Sequence, residues 1–215
     1  MRAPTSRRQA AVVARLLSSL LFLWLPLSSF ALKPPQITIG TSTTTPPLLD
    51  VPTYSMATCN ADDGKTTNMQ ILTYATPVCI RPERVWSLGL YKETLSYENF
   101  CRTRSCVLQL LTEQHAPLVK LLGGSSGKNV DKQSECEKLG FVWGKLAGDG
   151  SGPMVLPGCA FYLKLTAVGE IVDCGGHCAV LCKVEEMLTD SDEGYLSTAR
   201  LRELGIITEQ GRVAE

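Results

Sequence analysis

The chain has 215 residues, 44% hydrophobic and 20% charged, with a formal net charge of zero; this globular composition excludes a disordered, coiled-coil or collagen-like chain. The neutrality hides an asymmetry. Residues 1–49 carry five basic groups (Arg2, Arg7, Arg8, Arg15, Lys33) and no acid, which leaves 16 basic against 21 acidic groups in the rest, a net of −5. A mildly acidic body lacks the concentrated basic face that nucleic acid requires.

The first fifty residues read as an address and linker, and 51–215 as the folded domain. The apolar core over residues 16–31 is shorter than the ~20 residues of a spanning helix and is interrupted by Pro26. An Arg-containing start, a short apolar core and small residues at Ser28, Ser29 and Ala31 make a secretory-type signal; a membrane anchor is the competing reading. Residues 33–47 are rich in Ser, Thr and Pro and cannot bury a core. A signal-like core followed at once by Phe30 and a hydroxyl-rich, acid-poor stretch resembles the two-part plastid presequence of algae with complex plastids. Secretion is the alternative localisation.

The body opens with the turn signal Asp62-Asp-Gly64 and a β-favouring stretch, Thr66–Val78, expected to end or bulge near Thr76 because Pro77 suits no central strand. Arg81–Arg84 forms a turn, and Val85–Tyr91 a second, near-continuously apolar strand. Leu95–Asn99 predicts a short helix and Ser105–Leu111 a third strand. His115–Leu122 predicts a helix closed by Gly123-Gly124, and Asp131–Leu139 another closed by Gly140. After the Gly-rich joint over 148–152 come strands over Gly158–Val168 and Ala179–Val184, connected through Val172–Cys178, and a last helix over Leu196–Leu204. Because helices do not alternate with strands, a doubly wound sheet is disfavoured. The pattern predicts a mainly β fold, an antiparallel barrel with helical insertions.

Conventional catalytic signatures are absent: there is no dinucleotide fingerprint, no phosphate-loop motif and no nucleophile elbow. Only two histidines occur, His115 and His177. Cys174, His177, Cys178 and Cys182 offer four soft ligands for zinc, yet on one strand Cys178 and Cys182 would stand about 13 Å apart at ~3.3 Å per residue, too far for one metal. The same thiols suggest a redox-sensing module, which needs an exposed thiol of low pKa. The nine cysteines are odd in number, and several sit among apolar neighbours, where a free thiol acts as a small hydrophobe. Gly123-Gly-Ser-Ser-Gly-Lys128 could cradle phosphate on backbone amides with the Lys128 charge, or be a plain helix connector. Thr73, Thr76, Ser87 and Thr94 supply hydroxyls on or beside adjacent strands, with Tyr74, Tyr91 and Lys92 nearby. Hydroxyls, a cation and backbone amides are what a flavin phosphate and ring edge need; without further context these are ordinary β-sheet residues, and that reading is favoured.

In order, several segments resemble the flavin reductase-like family, an FMN-binding split β-barrel, and are similar to its plant and algal subgroup. They are Asn68–Val78 with Arg81-Pro82, Trp86–Thr94, Glu98–Phe100, Val107–Leu111 and His115–Val119. Leu122–Gly127, Asp131-Lys132, Leu156–Ala160, Gly175–His177 and Leu201–Ile206 complete the set. The resemblance implies a homodimer with flavin near the subunit interface, FMN as cofactor with FAD as the larger alternative, and NADH or NADPH as reductant. It also implies reduced-flavin supply to a partner monooxygenase. Carried over by position, Asn68, Thr73, Tyr74, Ala75 and Thr76 approach the ring and ribityl chain. Ser87, Tyr91, Lys92 and Thr94 form the phosphate end, with Lys128 beside them. His177 matches the histidine of the family's Gly-Asp-His turn by flavin and nicotinamide, although Gly176 stands where the family has Asp. A flavin carrier or sensor without turnover on the same fold is the second reading.

Overall fold

The computed structural model describes residues 48–147, 150 and 152–214. The targeting segment expected over 1–50 lies outside these except for Leu48–Asp50. Leu49 and Asp50 are already tied to the body: the Leu49 carbonyl accepts from Thr198 Oγ1 at 3.1 Å, and Asp50 Oδ1 from the Ala199 amide at 2.9 Å. No helix of the described residues is long and apolar enough to cross a membrane.

Seven strands form one antiparallel sheet: β1 (Tyr54–Cys59), β2 (Thr67–Leu72), β3 (Ala75–Cys79), β4 (Val85–Tyr91), β5 (Ser105–Leu110), β6 (Phe161–Cys174) and β7 (His177–Leu188). Their spatial order is β2-β1-β5-β6-β7-β4-β3. The two end strands, β2 and β3, are joined in sequence by Thr73 and Tyr74 alone. So short a link forces the sheet to curl until its ends meet, which makes a barrel closed by chain and open by hydrogen bonds along one seam. Four helices decorate it: α1 (Leu95–Thr103), α2 (Leu118–Gly124), α3 (Lys132–Lys138) and α4 (Thr198–Glu203).

The alternation of side chains across each strand divides the core in two. Met56, Leu88, Leu90, Leu108, Leu163, Leu165, Val180 and Cys182 fill the barrel interior. Met69, Val107, Leu118, Val119, Leu122, Trp143 and Leu156 pack beneath α2, α3 and the following loops. Each fully buried leucine contributes on the order of 2 kcal/mol by transfer.

The mainly β architecture follows the sequence reading, with instructive differences. The stretch expected as one strand over Thr66–Val78 is two, broken at Thr73-Tyr74. Pro77 is accommodated because β3 is an edge strand, and the register shifts between Pro77 and Cys79. Strand β1 was not expected at all. It lies between β2 and β5, so small polar residues such as Ser55 and Thr58 are fully buried with its apolar ones, and no alternation signals it. β6 and β7 run longer than the sequence suggests and meet in a two-residue hairpin, Gly175-Gly176, with Gly175 at φ +86°.

Candidate functional site

A cleft of about 330 Å³ opens along the seam between β2 and β3–β4, within the range of small-ligand sites. One wall is β2 with the Thr73-Tyr74 link; the other is the loop Gly123–Gly127, which α2 delivers. Close approach of these walls depends on two glycines. A Cβ on Gly127 would stand 1.9 Å from Asn68 Oδ1, and one on Gly89 would stand 2.9 Å from the Tyr74 Cβ. Asn68 is anchored in turn, donating from Nδ2 to Ser96 Oγ at 2.6 Å, which joins β2 to the first turn of α1. Thr94 caps that helix by accepting from the Tyr97 amide at 3.2 Å.

The mouth is aromatic. The His177 ring lies 5.1 Å from that of Tyr91 and 5.7 Å from that of Tyr74, and both tyrosines are exposed. Tyr91 donates its hydroxyl to Glu93 at 2.6 Å, and this bond pushes the phenol pKa up. The floor is cationic. Lys132 is buried, and its Nζ donates to the carbonyls of Met69 and Leu122, both at 2.9 Å. Burial pushes its pKa down to about 8.

Of the residues singled out from sequence, Asn68, Thr73, Tyr74, Tyr91, Thr94 and His177 line this cleft. Ala75 packs against the barrel interior instead. Thr76 and Ser87 face each other across β3 and β4, on the outer surface beside the mouth. Lys92 pairs with Asp173 at 2.6 Å, and Lys128 pairs with Glu98; neither lines the cleft. The Gly123–Gly127 loop forms a wall rather than a free connector. Gln70 and Lys132 also line the cleft, and neither was singled out from the sequence. No local motif marks them, because a lysine after an N-cap aspartate or a glutamine in a strand is ordinary until the seam places it.

The cysteines and the second histidine have other duties. Cys178 and Cys182 point into the barrel, whereas Cys174 and His177 face outward, so the four do not converge. Among the described residues no His, Cys, Asp and Glu cluster could hold a metal. His115 is a locked structural residue: its Nδ1 accepts from the Thr112 amide at 3.1 Å, so its Nε2 donates to the Pro157 carbonyl at 2.9 Å. Cys159 lies 3.9 Å from that nitrogen, but burial pushes its thiol up to about 12. A thiol so raised, beside an imidazole already committed, makes no nucleophile–base pair.

Hydroxyls on one wall, stacking faces at the mouth and a cation at the floor suit a planar, polyhydroxylated ligand. The fold has solved counterparts. It superposes on a flavoredoxin from Methanosarcina acetivorans with a TM-score of 0.58 at 17% identity, covering 74% of this chain and 78% of that one. An NADH:FAD oxidoreductase from Streptomyces globisporus gives 0.57 at 12% identity, covering 69% and 81%. A homologue of nitrilotriacetate monooxygenase component B from Mycobacterium thermoresistibile gives 0.56 at 15%, covering 68% and 73%. None of the curated proteins matches the chain significantly. At these identities the superpositions speak for the fold, and the assignment comes from the sequence itself: the family model described as "Flavin reductase like domain" matches residues 52–204, and the chain belongs to that family.

Proposed function

We propose that this protein binds FMN in the seam cleft and catalyses NAD(P)H-dependent flavin reduction. The observation that carries the reading is the convergence of Asn68, Thr73, Tyr74, Tyr91, Thr94 and His177 on one cleft in a chain of this family. The residues present fit the cofactor. Gly127 and Gly89 let Asn68 and Tyr74 pack where a side chain would otherwise stand, which sets these two residues at the cleft, and Gln70 keeps a buried polar atom unpaired there. Ser125, Ser126 and Thr94 would hold the phosphate end, and Tyr74, Tyr91 and His177 would flank the ring. FAD is the larger alternative, its extra nucleotide reaching past the open mouth.

The chemistry a bound flavin supplies is acceptance of hydride from the nicotinamide. The protein's share is positioning and water exclusion. His177 and the two tyrosines offer faces on which the ring and a nicotinamide can stack, and no side-chain base is required. A site poor in carboxylates is therefore adequate. The rival reading, a flavin carrier or sensor without turnover, is favoured by one feature: Gly176 stands in the β6–β7 hairpin beside His177, where the family pattern supplies Asp.

A homodimer completes this reading. The outer faces of β3, β4, β7 and β6 carry a row in register, Thr76–Ser87–Leu181–Val168, with Leu181, Val168, Val172 and Val78 exposed. Tyr74, Tyr91 and His177 border the same face, so a second copy there would roof the cleft. A partner monooxygenase, placement in the plant and algal subgroup, and plastid delivery through residues 1–50 extend the proposal.

The test is spectroscopic. Purified protein should show flavin absorption that bleaches on anaerobic addition of NADH or NADPH. Flavin peaks that persist would favour the carrier reading, and protein that takes up no FMN would refute both. Sedimentation should find a dimer; a monomer at micromolar concentration would refute the roofed cleft.

A further inference from the structure

Two polar groups at the closed end of the cleft lack the partners their burial demands. Gln70 is 5% exposed and lines the cleft, and its Oε1 is buried with no hydrogen-bond partner among the described residues. Leaving such an acceptor unpaired costs stability, so natural cores avoid it unless something fills the vacancy. Asn68, on the same face of β2 two residues earlier, donates to Ser96. Of the buried side-chain atoms without a partner among the described residues, Gln70 Oε1 is the one that belongs to a cleft-lining residue. Lys132 has the complementary shortage. An ammonium has three protons; two go to the Met69 and Leu122 carbonyls, and one is left over at the cleft floor. Among the described residues no carboxylate acts on it; burial is the dominant influence and the Cys136 thiol the lesser one.

The two groups are neighbours by connectivity, because Lys132 grips the carbonyl of Met69 and Gln70 is the next residue on the strand. A cation alone would suit phosphate. The carboxamide beside it would be only half served by phosphate, which accepts from its N–H but brings no proton to its oxygen. What complements a carboxamide N–H, its acceptor oxygen and a neighbouring cation is a ring edge that alternates carbonyl, N–H and carbonyl. Side-chain carboxamides read such edges in two parallel bonds elsewhere, donating to one atom and accepting from its neighbour. Both ends of Gln70 are then used, whichever way its amide is turned.

We propose that Gln70 and Lys132 form a specificity subsite that reads the imide edge of the flavin ring. Gln70 pairs with the ring N–H and one carbonyl, and Lys132 donates its remaining proton to the other carbonyl. The subsite rests on the flavin reading above and adds to it which edge of the ring enters the closed end, and why an imide is demanded there.

The probes are FMN and FMN methylated at ring N3, each titrated by flavin fluorescence against the full protein and against Gln70→Leu. The unaltered protein should bind FMN roughly ten- to hundredfold more tightly than the methylated probe, the expected loss for one buried hydrogen bond. Leucine keeps the side-chain bulk and removes the bonds. FMN affinity of Gln70→Leu should therefore fall about tenfold or more and the preference should close, while the ligand-free thermal midpoint stays level or rises because an orphan acceptor is gone. A merely structural role for Gln70 would lower that midpoint. Equal binding of the two probes by the unaltered protein would overturn the subsite, and this comparison needs no variant to fold. A preference that survives intact in Gln70→Leu would also overturn it. Failure of the unaltered protein to bind FMN at all would instead overturn the flavin reading, and the subsite with it.

Discussion

Replacing Lys132 by methionine should expose the electrostatic cost of the cleft floor as a pH-dependent change in stability. Burial holds the Lys132 ammonium at about 8, against 10.5 for a free lysine. The unfolded chain keeps its proton up to the higher value. Between pH 8 and 10.5 the unfolded state thus binds more protons than the folded one, and stability rises with pH across that window. The fall in pKa corresponds to about 3 kcal/mol. Below pH 8 both states are protonated and the penalty is felt in full; above 10.5 both are neutral and it is gone. Methionine has nothing to titrate. It leaves the Met69 and Leu122 carbonyls without a donor, at about 1–3 kcal/mol each, but that loss does not vary with pH. The stability of the unaltered protein minus that of Lys132→Met should therefore climb by about 3 kcal/mol between pH 7 and 10.5. Taking the difference cancels the buried thiols Cys159 and Cys182, which burial pushes up to about 12 in both proteins; Cys136, which burial raises and the Lys132 charge lowers, does not cancel, and loss of that charge in the variant adds to the climb. Urea unfolding of ligand-free protein at successive pH values, followed by tryptophan fluorescence, measures it. A difference that stays flat through the window would refute burial as the cause.

Gly127→Ala places a methyl against the Asn68 carboxamide, which Ser96 holds in place; it should cost about 1–3 kcal/mol and weaken FMN binding, and a variant with unchanged melting and FMN titration would contradict the close approach of loop and strand. His115→Leu should lower stability by about 2–4 kcal/mol through two orphaned partners, the Thr112 amide and the Pro157 carbonyl, while FMN binding is retained; loss of FMN binding without loss of stability would assign His115 to the site. Native protein should yield one fast-reacting thiol, Cys174, three slower ones (Cys59, Cys79 and Cys101), and five only on unfolding; rapid reaction of Cys178 or Cys182 would contradict their inward orientation. In both the unaltered protein and Lys132→Met, thiols and phenols raised by burial, including Tyr54 at about 12, hold stability that is present below their unfolded pKa and lost as pH climbs from about 9 towards 12; melting midpoints should fall over that range, and a rise would show those groups to be solvated.

The class of fold, the order of most strands and the family resemblance were all legible in the chain as written. Edge and surface strands announce themselves, because one face meets solvent and polar residues alternate with apolar ones. β1 does not, since its enclosed positions mix buried polar residues such as Ser55 and Thr58 with apolar ones, whereas β5, equally enclosed, shows as an apolar run. Gly175-Gly176 was legible as a break because a residue without a Cβ is free to take the positive φ found at Gly175, whereas Gly123 and Gly124, expected to close their helix, are its last two residues. Of the cleft lining, Thr73, Thr94, the two tyrosines and His177 could be named in advance through the family resemblance, since Thr and Tyr are ordinary strand residues by themselves. Lys92, Lys128, Thr76 and Ser87 were named on the same grounds, yet ion pairing occupies the first two and the outer sheet face takes the others. Local sequence cannot see a carboxylate from another segment, such as Asp173 or Glu98. Tertiary structure decided the rest. Only the curling of the sheet sets β2 beside the Gly123–Gly127 loop and leaves a seam between them. Only that seam turns Gln70 and Lys132, ordinary where they stand in the chain, into a buried acceptor and a buried cation that line one cleft.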